Sequence, residues 1–200
     1  MQVLDAEGAN RFLAVAREER LYALYVLAVS TGLRQGELLG LQWSNVDLRA
    51  GTLSVLHSLF EYAGKFKLSE PKSSKSRRLV VLPDIAIEAL REHRNTTLQE
   101  GHSSSYVFCD RNGGPIRKSN LTRRSFKPLL VKAGLPNIRF HDLRHTAATL
   151  MLAEGINPKI VQECLGHSQI TLTLDTYSHV LPSMQKEAAV KMNRVLAANT

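Results

Sequence analysis

The chain has 200 residues, 44% of them hydrophobic and 22% charged, which is enough length and apolar content to bury a sizeable core. Its longest apolar run, Leu21–Val29, falls short of the roughly 20 residues that span a bilayer, and no basic segment leads into an apolar stretch at the start, so neither a membrane helix nor a secretory signal is expected. The net charge is +8, and the acid-free stretch between Asp110 and Asp142 carries all of it through Arg111, Arg117, Lys118, Arg123, Arg124, Lys127, Lys132 and Arg139. Charge focused in this way predicts a polyanionic partner, nucleic acid before others. Cys109 and Cys164 lie far apart in sequence, which argues against a disulfide scaffold or a thiolate zinc site and fits a reducing cytosol.

In chain order, Asp5 to Glu18 reads as a helix capped by Asp5, with Phe12, Leu13, Val15 and Ala16 on its apolar side. Leu21 to Ser30 reads as a second, wholly apolar helix, stopped at Thr31-Gly32 because glycine takes the left-handed conformation that closes a helix. A short helix restarts at Arg34 and runs to Leu41, which places Glu37 one turn after Arg34 on the same face. Thr52–Tyr62 and Arg78–Leu82 read as strands. Between them lie Gly64, Pro71 and the segment Lys72-Ser-Ser-Lys-Ser-Arg-Arg78, expected at a hairpin connection. Pro83-Asp84 opens an amphipathic helix to about Gln99, and Tyr106–Cys109 followed by Asn112-Gly-Gly-Pro115 suggests a short strand and a turn. Helices are then expected over Ser119–Ala133, His141–Glu154 with Leu143, Ala147, Leu150 and Met151 inward, Pro158–Leu165 closed by Gly166, Thr171–His179 in a short helix or tight turn, and Ser183–Ala197. The fold class is α/β mixed and mainly α, with a small antiparallel β-sheet.

The chemistry begins at His141-Asp-Leu-Arg-His145. On a helix His141, Arg144 and His145 share a face, opposite the apolar one. Two readings are open. A pair of histidines at i and i+4 beside an acid resembles a zinc-protease helix, with His167 as third ligand, although Asp142 is shorter than the usual Glu and Arg144 would put a positive charge beside the metal. The other reading is an anion site, with an arginine and histidines set to bind a phosphate.

The remaining motifs favour the anion. Thr31-Gly-Leu-Arg-Gln-Gly-Glu-Leu38, the lysine-rich segment at Lys72, His141-Asp-Leu-Arg144, Leu165-Gly-His167 and Asp175-Thr-Tyr177 follow one another in the order Arg, Lys, His-x-x-Arg, His, Tyr. In this order, from about Leu4 to Pro182, the chain resembles the catalytic domain of the tyrosine recombinase (phage integrase) family. The resemblance implies an enzyme that cuts and rejoins DNA strands. Tyr177 would attack a phosphodiester, forming a 3′-phosphotyrosine bond and freeing a 5′-hydroxyl. Arg34 and Arg144 would hold the non-bridging oxygens, and Lys72, directly after Pro71, would protonate the departing 5′-oxygen, with Lys75 as the alternative. His141 would exchange a proton with the tyrosine, His167 would hydrogen-bond the phosphate, Glu37 would orient Arg34 by an ion pair, and His145 matches a supporting position. The chemistry is consistent: a tyrosine hydroxyl with a pKa of ~10 needs a base or strongly positive surroundings, and an alkoxide leaving group needs an acid. No metal or other cofactor is implied.

DNA contacts are expected at Lys75, Arg77, Arg78, Arg117, Lys118, Arg123, Arg124 and Lys127. The family resemblance further implies double-stranded attachment or core sites as substrate, assembly of a tetramer on DNA, and a cytoplasmic, nucleoid-associated place in a bacterium or phage-bearing cell. It divides the chain into a catalytic domain over residues 1–182 and a C-terminal helix or tail over 183–200, exchanged between protomers or folded back. The family's N-terminal core-binding domain is expected to be missing from the chain. Three other readings stand beside this one: a DNA-binding fragment without activity, a type IB topoisomerase-like enzyme that shares the chemistry without sequence preference, and the zinc hydrolase.

Overall fold

The computed structural model describes residues 2–69, 77–101, 103–171 and 181–197. Its principal elements, in chain order, are α1 Ala6–Ala16, α2 Tyr22–Thr31, α3 Gln35–Leu39, β1 Val46–Asp47, β2 Thr52–Val55, β3 Ser58–Tyr62, β4 Lys65–Ser69, β5 Arg78–Val81, α4 Asp84–Gln99, α5 Lys118–Leu121, α6 Lys127–Lys132, α7 Asp142–Ala153, α8 Pro158–Leu165 and α9 Leu181–Ala197. The mixed, mainly helical class stands. No helix among the described residues is long and apolar enough to cross a membrane.

Helix α2 is the centre. It is apolar all round, as a helix enclosed by others must be, and every residue from Tyr22 to Val29 is buried. Helices α1, α4 and α7 pack around it. Each offers a stripe: Ala9, Phe12 and Ala16 from α1, and Ala86, Ala89, Leu90, His93 and Thr97 from α4. Asp5 caps α1 by accepting from the Gly8 N–H at 2.7 Å. An aromatic group, Phe12, Tyr25, Phe126 and Phe140, locks α1 and α2 to the chain before α7, with Phe12 meeting Tyr25 edge-on at 5.2 Å and Phe126 meeting Phe140 at 5.2 Å. The buried Tyr25 hydroxyl shares a 2.6 Å hydrogen bond with Ser125 Oγ.

Several expectations are corrected. The segment Thr52–Tyr62 is two strands in two sheets, not one strand. Strand β2 sits between β1 and β5 in an antiparallel sheet of order β1-β2-β5, with Thr52 opposite Val81 and Val55 opposite Arg78. Strand β3 instead pairs with β4, from Ser58 opposite Ser69 to Tyr62 opposite Lys65. The hairpin therefore turns at Ala63-Gly64, both at positive φ (48° and 76°), as a two-residue turn between right-twisted strands requires. Tyr106–Cys109 forms only single bridges, Gln42 to Tyr106 and Cys109 to Pro115. The expected helix Ser119–Ala133 is α5 and α6 joined by a π-turn at Thr122–Phe126, where Lys127 N–H reaches back to Thr122 O. Pro128 explains the turn: its ring would strike the carbonyl four residues back in a regular helix, and the wider turn relieves that. Beyond Thr171, the expected element at Thr171–His179 lies outside the described residues, and α9 starts at Leu181 rather than Ser183.

Two helix ends meet inside the fold. Helices α2 and α8 both stop at a left-handed glycine, Gly32 (φ 65°) and Gly166 (φ 67°). At Gly32 an added Cβ would also fall 2.5 Å from Leu165 Cδ2, so the end of α2 lies directly on the end of α8. Gly32→Ala should therefore cost more than the ~1–3 kcal/mol of a strained backbone alone. Gly64→Ala, where no atom lies within 4 Å, should lose that backbone share only. Urea unfolding of the two variants checks this, and equal losses would remove the packing contribution.

Candidate active site

The described candidate residues come from three stretches far apart in sequence, and the fold brings them together. Arg34 precedes α3 in extended conformation, and Glu37 folds back onto it. The Arg34 backbone N–H and its Nη1 each donate to the Glu37 carboxylate at 2.9 Å. The two side chains form an ion pair. The Arg34 side chain is 40% exposed and Glu37 only 5%.

The second stretch opens α7. Arg144 lies on its first turn and donates from Nη1 to the Gly32 carbonyl at 2.8 Å. His141 and His145 stand edge to face with ring centroids 5.0 Å apart, so the shared face holds. Along that face Arg144 is buried, His145 half-buried and His141 exposed, and the neighbouring Asp142 is buried. Asp142 carries Arg139, accepting from its backbone N–H and its guanidinium at 2.8 Å each. The third stretch is the end of α8. Gln162 ties down His167 through both backbone groups, Nε2 donating to His167 O at 2.9 Å and Gln162 O accepting from His167 N at 3.1 Å. Arg34 Nη2 reaches the Gly166 carbonyl at 3.5 Å. Both arginines therefore rest on carbonyls at helix C-termini, where the helix dipole favours a cation.

Burial, and then the charge of Arg144 and Arg34, push His167 down to about 4. His141 is lowered by burial and Arg144, and His145 by burial and His141. All three shifts favour the neutral imidazole, and the fixed positive charge of the centre resides in guanidiniums. Burial alone would raise the Glu37 carboxyl, but Arg78 and then Arg34 outweigh it and hold it below the usual range.

Arg78 was expected to touch DNA, and this is corrected. Its side chain is 6% exposed, donates Nη2 to Glu37 Oε2 at 2.9 Å and Nη1 to Oε1 at 3.2 Å, and donates Nε to Cys164 O at 2.7 Å. The Lys127 Nζ donates to Ile138 O at 2.6 Å and to Asn137 Oδ1 in the loop before α7. Arg77, Arg123 and Arg124 are exposed. Arg117 pairs with Glu61 and covers Phe66, and Lys118 lies over Phe60 with its Nζ 5.2 Å from the ring centroid. Lys72, Lys75 and Tyr177 lie outside the described residues. Among the described residues no three His, Cys, Asp or Glu side chains gather as a metal site, so His141, His145 and His167 do not form the zinc centre that their spacing left open.

Residues 2–184 match the model of the phage integrase family. The chain is 35% identical to a tyrosine recombinase XerC-like protein of Caldanaerobacter subterraneus subsp. tengcongensis over 96% of this chain and 54% of that protein. It is 30% identical to the ICEBs1 integrase of Bacillus subtilis (strain 168) over 98% of this chain and 55% of that one. It thus spans about half the length of these curated relatives. Its fold is similar to that of the Tn1549 transposon integrase in complex with circular intermediate DNA, at a TM-score of 0.81 and 26% identity, over 97% of this chain and 67% of that one. It is also similar to the catalytic domain of bacteriophage HP1 integrase, at a TM-score of 0.63 and 25% identity, over 96% and 95% of the two chains.

A histidine held near 4 in the fold and at ~6.5 when unfolded takes up its proton first in the unfolded chain. Its contribution to stability is complete above about pH 6.5 and is lost as the pH falls toward 4. Urea midpoints at successive pH values through that window should therefore fall more steeply for the wild type than for His167→Gln. Parallel curves would dissociate His167 from the acid loss.

Proposed function

The chain belongs to the phage integrase family, and on that premise we propose that it is the catalytic domain of a site-specific recombinase that cuts and rejoins DNA strands through Tyr177. One observation carries the reading. Two arginines and three imidazoles, supplied by residues 34, 141–145 and 167, meet beside the ends of α2 and α8.

In the proposed step the Tyr177 oxygen attacks the phosphorus and passes its proton to neutral His141. The bond to the 5′-oxygen breaks, and Lys72 gives that oxygen a proton, leaving a 3′-phosphotyrosine and a free 5′-hydroxyl. Charge that gathers on the non-bridging oxygens is met by Arg34 and Arg144, with His167 as a further hydrogen-bond partner. The imidazole of His141 is kept below its usual pKa, so it stands ready as a base at pH 7. The bond energy of the phosphodiester is kept in the phosphotyrosine, so religation needs no nucleotide.

Arg117, Lys118, Arg123 and Arg124, with Arg77 and Lys75, would grip the duplex by its phosphates. Residues 1–182 form the catalytic domain in this reading. Residues 183–200 form a tail that packs on a neighbouring protomer in a DNA-bound tetramer, an assignment favoured by the exposed apolar side chains Val190, Met192, Val195 and Leu196 of α9. A DNA-binding domain of the full-length protein would close the clamp from the other side, and the whole would work on the nucleoid.

The test is a covalent adduct. On a nicked duplex carrying an attachment core, so that the cut strand diffuses away, the wild type should give a slower band on a denaturing gel and Tyr177→Phe none. No band from this chain or from a longer parent would return the protein to a DNA binder without activity, and relaxation of an arbitrary supercoiled plasmid would favour a topoisomerase. Arg34→Ala or Arg144→Ala should slow cleavage by about 10²–10³-fold, as loss of one donor to a developing oxyanion does. Replacing Arg123 and Arg124 together by Gln should flatten the log–log salt dependence of DNA binding by about two units, one per lost phosphate contact. An unchanged slope would place the DNA surface elsewhere.

A further inference from the structure

Glu37 is 5% exposed and faces two guanidiniums of opposite accessibility, Arg34 at 40% and Arg78 at 6%. Arg78 is sealed away from any ligand, yet it binds both oxygens of the carboxylate and the Cys164 carbonyl. The backbone at Gly166 is shaped around it. A Cβ there would lie 2.8 Å from Arg78 Nη1 and 3.1 Å from its Cδ and Cζ. Arg78 thus joins three pieces of chain: β5, which it begins, α3, which comes after Arg34, and the end of α8, which precedes His167.

The charges of the group decide what Arg34 can do. Arg34 and Glu37 alone sum to zero, and in a dry setting the carboxylate would hold the guanidinium to itself. With Arg78 behind the carboxylate the three sum to +1, and the only member open to solvent is Arg34. We propose that Arg78 is a positioning residue of this centre: it neutralises Glu37 from the buried side so that the charge of Arg34 remains available to a phosphate, and it fixes the α8 end that carries His167. This rests on the proposed reading in taking a phosphate as the ligand of Arg34.

The experiment uses inorganic phosphate as probe, with binding followed by 31P NMR at millimolar concentrations and Arg34→Ala as the control that removes it. Arg78→Met should weaken phosphate binding by well over tenfold, and the double variant Glu37→Gln/Arg78→Met, in which the carboxylate charge is also gone, should recover to within about tenfold of wild type. A merely structural Arg78 predicts no recovery, because the double variant lacks both ion pairs to α3. Should Arg78→Met fail to fold by circular dichroism, the double variant, with no buried carboxylate left, carries the comparison by the same tenfold limit. Equal weakness of the single and double variants, equal affinity in all the proteins, or no phosphate binding by the wild type each overturns the proposal. Adduct formation is scored in parallel. The phosphate pattern without any adduct would sink strand cleavage and leave the charge balance standing, whereas an adduct with unaltered phosphate affinities would do the reverse.

Discussion

The structure around the candidate site depends on one buried carboxylate. Glu37 has lost nearly all contact with water and remains charged because guanidiniums meet it on both sides. A carboxylate so placed costs several kcal/mol in lost hydration, and only paired, well-formed hydrogen bonds offset that. The requirement fixes more than one residue. Bidentate binding demands the planar fork of an arginine at 78, which sets where β5 begins. The third donor of that fork demands the Cys164 carbonyl, which sets where α8 ends.

The ends of helices supply the other half of the architecture. Helix α2 is buried from Tyr22 to Val29, and its last carbonyls lack partners within the helix. Arg144 takes one of them at Gly32, and Arg34 approaches the Gly166 carbonyl beyond α8. Both helices stop at glycine, where the left-handed turn exposes the carbonyls and leaves room for the neighbouring chain. The close approach of Gly32 to Leu165 then brings Arg34, just past the end of α2, beside His167, just past the end of α8. A packing contact between two apolar helix ends therefore sets the distance between two groups of the site.

Most helices were legible because their ends carry their own chemistry: Asp5 before α1, Gly32 after α2, Asn157-Pro158 before α8 and Gly166 after it. The sheets were less legible. Nothing in the run Thr52–Tyr62 interrupts its β-branched and aromatic character, and what divides it at Leu56-His57 is the choice of pairing partner, β5 for one half and β4 for the other. Strand β1 is two residues long and exists only because β2 lies beside it. The candidate site residues were legible as motifs because each motif is local, whereas the buried pairing of Arg78 was missed because its partners lie 41 and 86 positions away. One signal was present. In β5 the exposed Leu79 and Val81 alternate with the buried Val80, so Arg78, two residues from Val80, falls on the inward face, where a cation implies a buried acid.

The electrostatics also bear on how such a site would respond to an anion. Its positive charge is placed in arginines, which never titrate near neutrality, while burial and those same arginines keep the three imidazoles neutral. Neutral histidines add no repulsion to an already cationic cluster. A phosphodiester set against Arg34 and Arg144 would bring a negative charge into the same low-dielectric space and reduce the penalty for protonating an imidazole there. The proton affinity of His141 would then rise on binding, at the moment when a tyrosine hydroxyl needs a base. In the proposed reading, arginines that clamp a phosphate and a histidine that takes a proton would be coupled through that ligand, and the downward shift of the His141 pKa is what leaves room for the rise.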